Sequence, residues 1–592
     1  MRLAPSCLLS LAVLATAITA SNVHCKCTPN DSCWPLASEW ASLNTTLSGC
    51  LVKTVPLGSV CYPSQPNYDP VACEDVIKNW TTSSFHSSDP SSIADPVSSN
   101  SSCTPIYPNG TSLSGDPDAG SRGCTLGNLS PYVINASEAS HVQAALKFAK
   151  AHNLRLNIRN TGHNPDKSSA YGSLSIWTHA MKQFQFHESY TPLSCPQTVR
   201  HMAATLGAGI QDGELFELLA QHNAIGVGGT NTDVGVIGWA TGGGHGFATM
   251  EYGMGADNII EAVLVTPDGE VLTVNQCQNE DLYWAIRGGG GGTFGVILSV
   301  TVKAYPMPSV TMIGLDLTAR NGTTPRVWWK LIAEVHKELA VLQDSGIGGY
   351  WTISGPPFHF GHAMFQYNTS SADSADQEML PLKKLLDHHN GTVSSNITKF
   401  HTASWYNLTK MFPLVEHTGT SRSARTSRLI PRRAIEDTRG FAYILENIGP
   451  QPDNPKTFQN AVSNPSMSGT MTPGKKMVDN SLNPAWREAV VHLITSQSWN
   501  DSLPDSVAAE TYDRMTNEKG YLLRQIAPDS GAYYNEADRH EPNWQWSFWG
   551  PHYTRLREIK QRYDPQDLLW CHHCVGSEGW IQEKNGTLCR VP

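Results

Sequence analysis

At Pro131 the chain changes texture, and that change limits its possible folds more than any other feature. Residues 21–124 are rich in Cys, Ser, Pro and Asn. Within them, 83–114 is nearly free of long apolar side chains and is expected to be an extended loop. After Pro131, short strands alternate with helical periodicity. Residues 132–134 read as a strand and Ser137 as a helix N-cap, and Val142, Ala145, Leu146 and Ala149 recur at helical spacing. The alternating strand 154–158 runs straight into Arg159-Asn160-Thr161-Gly162-His163. A second such unit follows: a strand at 203–207, a helix at 214–222 that Asp212 can cap, and strands at 259–266, 271–274 and 295–303. Residues 125–305 are therefore expected to form one α+β unit. A second α+β unit is expected over 306–520, with a helix at 325–343 and long strands within 349–367. The segment 521–592 carries a helix at 553–563 and is expected to return to the first unit.

A chain of 592 residues is too long for a single core, which agrees with this division. The formal charge of -10 and the lack of a clustered basic face argue against a nucleic-acid partner. The one basic cluster, Arg422, Arg425, Arg428, Arg432 and Arg433, is interrupted by apolar residues and suits a local structural or substrate-edge role. Residues 1–20 resemble a secretory leader: Arg2, a short apolar run over 8–17, and small residues at Ala15, Ala17 and Ala20. No segment approaches the ~20 apolar residues of a membrane span. The expected product is a secreted monomer with no membrane partner. Cysteines crowd the N-terminal region, as in a disulfide-stapled segment, and removing Cys7 with the leader leaves an odd number, hence one unpaired thiol. N-x-S/T sequons recur from Asn30 to Asn585, so N-glycans are expected.

Two glycine-rich tracts carry the chemistry. Gly290-Gly291-Gly292-Thr293-Phe294-Gly295 satisfies G-x-G-x-x-G, but 296–302 continues as a strand where a dinucleotide loop must open a helix. The series Gly228, Gly229, Gly235, Gly238, Gly242, Gly243, Gly244 and Gly246 lets backbone N–H groups approach a phosphate or a flat ring; a tight turn explains it equally well. Cys571-His572-His573-Cys574 packs its ligands too closely for one tetrahedral ion, so disulfides to other cysteines are favoured and no metal is expected. His359 and His362 have odd spacing, which sends them to opposite faces of a regular strand.

Taken together, several runs resemble the vanillyl-alcohol-oxidase/p-cresol-methylhydroxylase (PCMH) superfamily. They are the 159–163 turn, Gly229-Thr230-Asn231-Thr232-Asp233-Val234-Gly235, Gly242-Gly243-Gly244-His245-Gly246, the 252–258 and 287–295 segments, Tyr533-Tyr534-Asn535-Glu536 and Trp549-Gly550-Pro551-His552-Tyr553. More narrowly they are similar to berberine-bridge-enzyme-like FAD-linked oxidoreductases, in the fungal isoamyl-alcohol-oxidase-like group. The resemblance covers roughly 125–305 and 520–580 and weakens across 306–520.

It implies an α+β fold, with a two-part PCMH-type FAD-binding domain and a substrate domain built on an antiparallel sheet. It implies FAD bonded through its 8α carbon to His163. Many relatives add a second bond from a cysteine where Asn231 stands, so a single covalent link is implied here and a carbohydrate substrate loses weight. Val234 matches the position governing oxygen access and implies an oxidase. Tyr533 is the implied base or else a group that only orients the substrate, with Asn535 at the polar edge of the flavin, and His245 is either a second acid/base or a cofactor contact. The remaining cofactor positions carried over are Arg159, Asn160, Thr161, Gly162, Gly229, Thr230, Gly235, Gly238, Gly242, Gly243, Gly244, Gly246, Asp257 and Asn258. The implied reaction moves a hydride from a small or medium alcohol to flavin N5, with O2 as the final acceptor. Oxidative cyclisation or desaturation of a secondary metabolite is the alternative within chemistry. A flavin-binding secreted glycoprotein without turnover is the alternative outside it.

Overall fold

The computed structural model describes residues 25–99, 101–411, 417–451, 462–471, 474, 476–500 and 502–591; the expected leader lies outside the described residues. Three principal sheets organise the α+β fold. The first joins β1 (Leu51–Lys53), β2 (Tyr132–Asn135), β3 (Arg155–Arg159) and β4 (Ser173–Trp177) in the order β1-β2-β4-β3. Strands β2 and β3 both run parallel to β4, which requires crossover connections. The helix Ala139–Ala151 supplies one, burying Val142, Ala145, Leu146 and Ala149 along a single stripe. Its N-cap is Glu138 rather than Ser137, whose hydroxyl lies 3.5 Å from His141 Nδ1 instead.

The second sheet runs β5 (Phe184–Tyr190), β6 (His201–Gly207), β10 (Val296–Pro306), β8 (Ile259–Val265) and β9 (Val271–Asn275), with β7 (Ala224–Gly226) also paired to β10. The helix Asp212–Ala220 begins one residue earlier than a cap at Asp212 would give. Gln211 is its N-cap, Glu214 closes a capping box, and Asp212 turns inward.

The third sheet has seven strands, all antiparallel. In chain order they are β11 (Val310–Ala319), β12 (Gly348–Ser354), β13 (His359–Tyr367), β14 (Val393–Thr402), β15 (Ser421–Pro431), β16 (Ser466–Thr470) and β17 (Ala489–Asn500). Their spatial order is β14-β11-β13-β12-β16-β17-β15. The 349–367 run is thus a hairpin turned by Gly355-Pro356-Pro357. The helix Pro325–Asp344 covers this sheet and buries Trp328, Trp329, Ile332, Val335 and Leu339, each worth about 1.5–3 kcal/mol of transfer free energy.

The 83–114 segment is not an extended loop. It holds the helix Ser83–Ser87 and the 3-10 turn Pro96–Ser99, and it buries Ser83, His86, Ser87, Ser92, Ile93 and Ala94. Small side chains pack here by bonding inward: His86 Nδ1 meets Ser92 Oγ at 2.9 Å and His86 Nε2 meets the Trp80 carbonyl at 2.7 Å.

At the other end, the helix Tyr553–Tyr563 is followed by a hairpin of Trp580–Gln582 and Leu588–Arg590. Buried Lys560 Nζ donates to the Thr293 carbonyl at 2.8 Å, and Cys25–Cys589 joins the two ends of the described chain. The other disulfides among the described residues are Cys27–Cys33, Cys61–Cys73, Cys103–Cys124, Cys195–Cys277 and Cys571–Cys574, and Cys50 is the free thiol among them. Cys571 and Cys574 are therefore bonded to each other rather than to distant cysteines, and that bond consumes the thiolates a zinc site would need. No helix among the described residues is long and apolar enough to cross a membrane.

Candidate active site

Strand β3 ends at Arg159 and delivers the 159–164 turn to one wall of a cavity of about 360 Å³. The 229–238 and 291–295 loops form the floor, and Tyr533, Asn535 and Glu536 close it from the C-terminal segment. Ile158, Ile237, Ile297 and Val234 give it apolar planks.

The glycine series divides in two. Gly229, Gly235 and Gly238 line the cavity, and a Cβ on Gly238 would meet nothing within 4 Å, so its backbone opens directly onto the space. Gly242, Gly243, Gly244 and Gly246 lie outside the lining and let the loop close on itself. A Cβ on Gly246 would stand 1.7 Å from the Gly228 carbonyl oxygen. The tract is therefore both a cradle and a tight turn, residue by residue.

His163 stands half-buried at the wall with Nε2 3.0 Å from Asp233 Oδ2. Asp233 is buried and held by Ser87 Oγ at 2.8 Å and Gln211 Nε2 at 2.7 Å, while its own N–H donates to Asn231 Oδ1 at 2.9 Å. Burial pushes the Asp233 carboxyl up, but the hydrogen bond and charge of His163, with Ser87 and Ser83, outweigh it and hold it below its ordinary range. Asn231 lines the cavity within this Asx turn. The Arg159 guanidinium donates to the carbonyls of Ser92 and Pro90, so the side chain ties down the N-terminal segment while its backbone faces the cavity. Asn160, Thr161, Gly162 and Thr230 complete the lining around it.

Asp257 and Asn258 are outside the lining. Arg487 pairs with both Asp257 oxygens at 2.7 and 2.8 Å, and Asn258 Oδ1 accepts from Tyr305 OH at 2.8 Å. These buried polar groups fix the turn before β8. His359 pairs with Asp316 at 3.3 Å and His362 is buried within the third sheet; neither reaches the cavity.

Polar side chains converge opposite His163. Glu536 Oε2 accepts from His245 Nε2 at 3.1 Å and lies 3.6 Å from His492 Nδ1 on β17. His245 Nδ1 meets Tyr350 OH at 3.0 Å, from β12. Burial raises the Glu536 carboxyl, but the charge and hydrogen bond of His245 outweigh it and hold it below its ordinary range. Burial pushes His492 down to about 3, so its ring is neutral. Tyr533 is buried, and burial drives its phenol far above the ordinary range. Its oxygen accepts from Asn535 Nδ2 at 2.9 Å and from the Gly244 N–H, which leaves the hydroxyl proton free to donate. Tyr533 is thus poorly suited to act as a free base, a role its sequence position alone does not rule out. Glu536, His492 and Tyr350 escaped the sequence reading. Glu536 stood within the quoted Tyr533–Glu536 run, whereas His492 and Tyr350 lie on strands where only tertiary structure reveals them.

The arrangement offers flat apolar walls, backbone donors from glycine loops and a proton-accepting pair, as a planar aromatic cofactor with a phosphate tail requires. Residues 130–275 match the family described as "FAD binding domain", and 532–576 match "Berberine and berberine like". The chain is 33% identical over 601 residues to FAD-linked oxidoreductase ZEB1 of Gibberella zeae, covering all of both chains. It is 34% identical to the VAO-type flavoprotein oxidase VAO615 of Thermothelomyces thermophilus, across 98% of this chain and 99% of that one. The crystal structure of the VAO-type flavoprotein MtVAO713 from Myceliophthora thermophila superposes with a TM-score of 0.84 at 30% identity, covering 96% of this chain and 100% of that chain.

Proposed function

Since the chain belongs to the berberine-bridge-enzyme-like FAD-linked oxidoreductases of the VAO type and is an FAD-dependent oxidoreductase, we propose that it is a secreted, monocovalent FAD oxidase of small or medium alcohols. The observation that carries this reading is the meeting of His163 and the Glu536–His245 pair in one cavity. Residues 125–305 and 521–592 hold the cofactor, and 306–520 supply the wall that selects the substrate.

FAD, when bound, supplies the acceptor for the substrate hydride, and O2 re-oxidises it to give hydrogen peroxide. His163, oriented by Asp233, would tether the cofactor, and Gly229, Gly235 and Gly238 would hold it through their backbone. With Asn231 in place of a cysteine, no second tether forms. The substrate hydroxyl donates its proton to the Glu536 carboxylate, where the charge is shared with His245. Neutral Tyr533, its oxygen engaged by Asn535 and Gly244, donates a hydrogen bond that orients the substrate oxygen. Val234, in the cavity wall, sets the space open to O2.

Secretion is supported by the N-terminal leader pattern and by six disulfides among the described residues. Glycosylation is supported by the exposure of sequon residues Asn109, Asn321, Asn390, Asn396, Asn407 and Asn585. The deciding experiment is acid precipitation of the purified protein. Yellow absorbance stays with the pellet in the wild type and moves to the supernatant in His163→Ala. Flavin that washes out of both, or a colourless protein, overturns the reading.

A further inference from the structure

Beside the main cavity lies a second, of about 330 Å³, and the two share His163, Lys167, Arg425, Tyr534 and Asn535 in their common wall. Arg425 belongs to the basic cluster on and after β15, whose other members are spent elsewhere. Arg428 is buried against Glu541 and donates to the Ala527 carbonyl; Arg432 is paired with Asp344 at 2.7 Å; Arg433 reaches Glu488 at 3.7 Å; Arg422 reaches Asp505 at 3.8 Å. Arg425 differs. Its neighbours Ala424 and Thr426 point into the core, so the strand's alternation sends Arg425 to the opposite, exposed face. Among the described residues no carboxylate stands within ion-pair distance of it.

Beside Arg425 the same wall holds Lys167, whose amine is pushed by burial well below the ordinary lysine range. Its Nζ rests 3.0 Å from the Tyr534 ring centroid and 3.4 Å from the Tyr534 carbonyl, again with no carboxylate in ion-pair contact among the described residues. The acids of the second cavity are already engaged: Asp95 with Ser98 Oγ at 2.6 Å, Asp166 with Arg539 at 3.1 Å, and Asp538 with the His540 N–H at 2.8 Å. The wall therefore offers the Arg425 guanidinium without an ion-paired carboxylate, and the ionised Glu536, the group proposed to take the substrate proton, lies near enough to feel its charge.

We propose that Arg425 binds an anionic group of the substrate, so that the alcohol oxidised here also carries a carboxylate. A guanidinium offers two parallel N–H donors that match a carboxylate, and a charge on the substrate fixes which carbon faces the proton acceptor. The inference rests on the oxidase reading above, and it assigns Arg425 a specificity-determining role.

The test titrates the purified oxidised protein with acetate, hexanoate and benzoate against the neutral amides of the same acids, following the visible flavin bands. Each acid is expected to bind about tenfold or more tightly than its amide. Arg425→Gln should remove that difference while retaining full flavin content, and Arg425→Lys should keep part of it. Equal binding of acid and amide, no saturable binding of any acid, or an unchanged Arg425→Gln profile overturns the proposal. So does loss of flavin in Arg425→Gln, since the anion served would then be the cofactor's own. A colourless wild type would instead overturn the oxidase reading, and calorimetric titration with the same pairs would still decide the role of Arg425.

Discussion

His163 Nε2 lies 3.0 Å from Asp233 Oδ2, and every other bond to that carboxylate holds it in place for the imidazole. A ring tied at one nitrogen presents the rest of itself to the cavity in a single orientation. Asp233→Ala should therefore lower the fraction of flavin bound covalently, leaving His163 chemically intact but unaligned. The measurement is the split of flavin absorbance between acid pellet and supernatant. A pellet as yellow as wild type would mean that Asp233 only packs.

Glu536 and His245 are close enough to share one proton, and Tyr533 is too buried to give one up readily. Glu536→Gln keeps the shape and removes the acceptor, so flavin reduction by substrate should fall about 10²- to 10⁴-fold. The resting spectrum and the reaction of dithionite-reduced enzyme with O2 should stay unchanged. Tyr533→Phe should cost less, about tenfold, because it removes one orienting hydrogen bond. Anaerobic stopped-flow reduction separates the two; a larger loss in Tyr533→Phe than in Glu536→Gln would reverse the assignment.

Lys560 is among the most buried cations of the chain, ion-paired with Asp564 at 2.6 Å and donating to the carbonyls of Thr293 and Leu569. It fastens the C-terminal helix to the strand-side glycine loop that lines the cavity. Lys560→Met leaves the Asp564 charge buried and two carbonyls without their donor, and should destabilise the protein by about 3–5 kcal/mol. Denaturant unfolding reads this. A double variant Lys560→Met/Asp564→Leu should recover much of the loss, since no buried charge then remains unmatched.

Much of the first two sheets was legible because period-2 strands and an i, i+3, i+4, i+7 helix are local patterns that burial then enforces, as Val142, Ala145, Leu146 and Ala149 illustrate. The turn carrying His163 could be found because β3 aims straight into it. The 83–114 segment defied that logic. Its buried residues are mostly serines and a histidine that bond inward, with only scattered apolar side chains such as Ile93 and Val97, so burial there leaves no periodic apolar signature. Helix starts slipped for a related reason: Ser137 and Asp212 are good caps in isolation, yet a capping box at Gln211 and Glu214 freed Asp212 for the interior. His492 and Tyr350 were invisible because the meeting of β17 and β12 with the His245 loop is a long-range event with no local spacing to betray it. The same holds for the contrast between Arg425 and Arg428, three residues apart on one strand but on opposite faces.

Asp212 Oδ2 accepts from the Gly229 N–H at 3.0 Å beneath the cavity floor, and complete burial raises its carboxyl to about 8. Its folded pKa thus exceeds that of an unfolded aspartate near 3.8, so the folded state holds a proton that the unfolded state releases. The associated stability is fully present below about pH 4 and is lost as pH rises through about 8, each unit of separation being worth about 1.4 kcal/mol. Asp212→Asn keeps an acceptor for Gly229 and cannot ionise. Relative to their values at about pH 4, the unfolding midpoint of the wild type should therefore fall away from that of the variant as pH rises to about 8, with a constant gap above it. Parallel curves across that window would show that Asp212 is already ionised in the folded protein, with the charge of His163 outweighing burial.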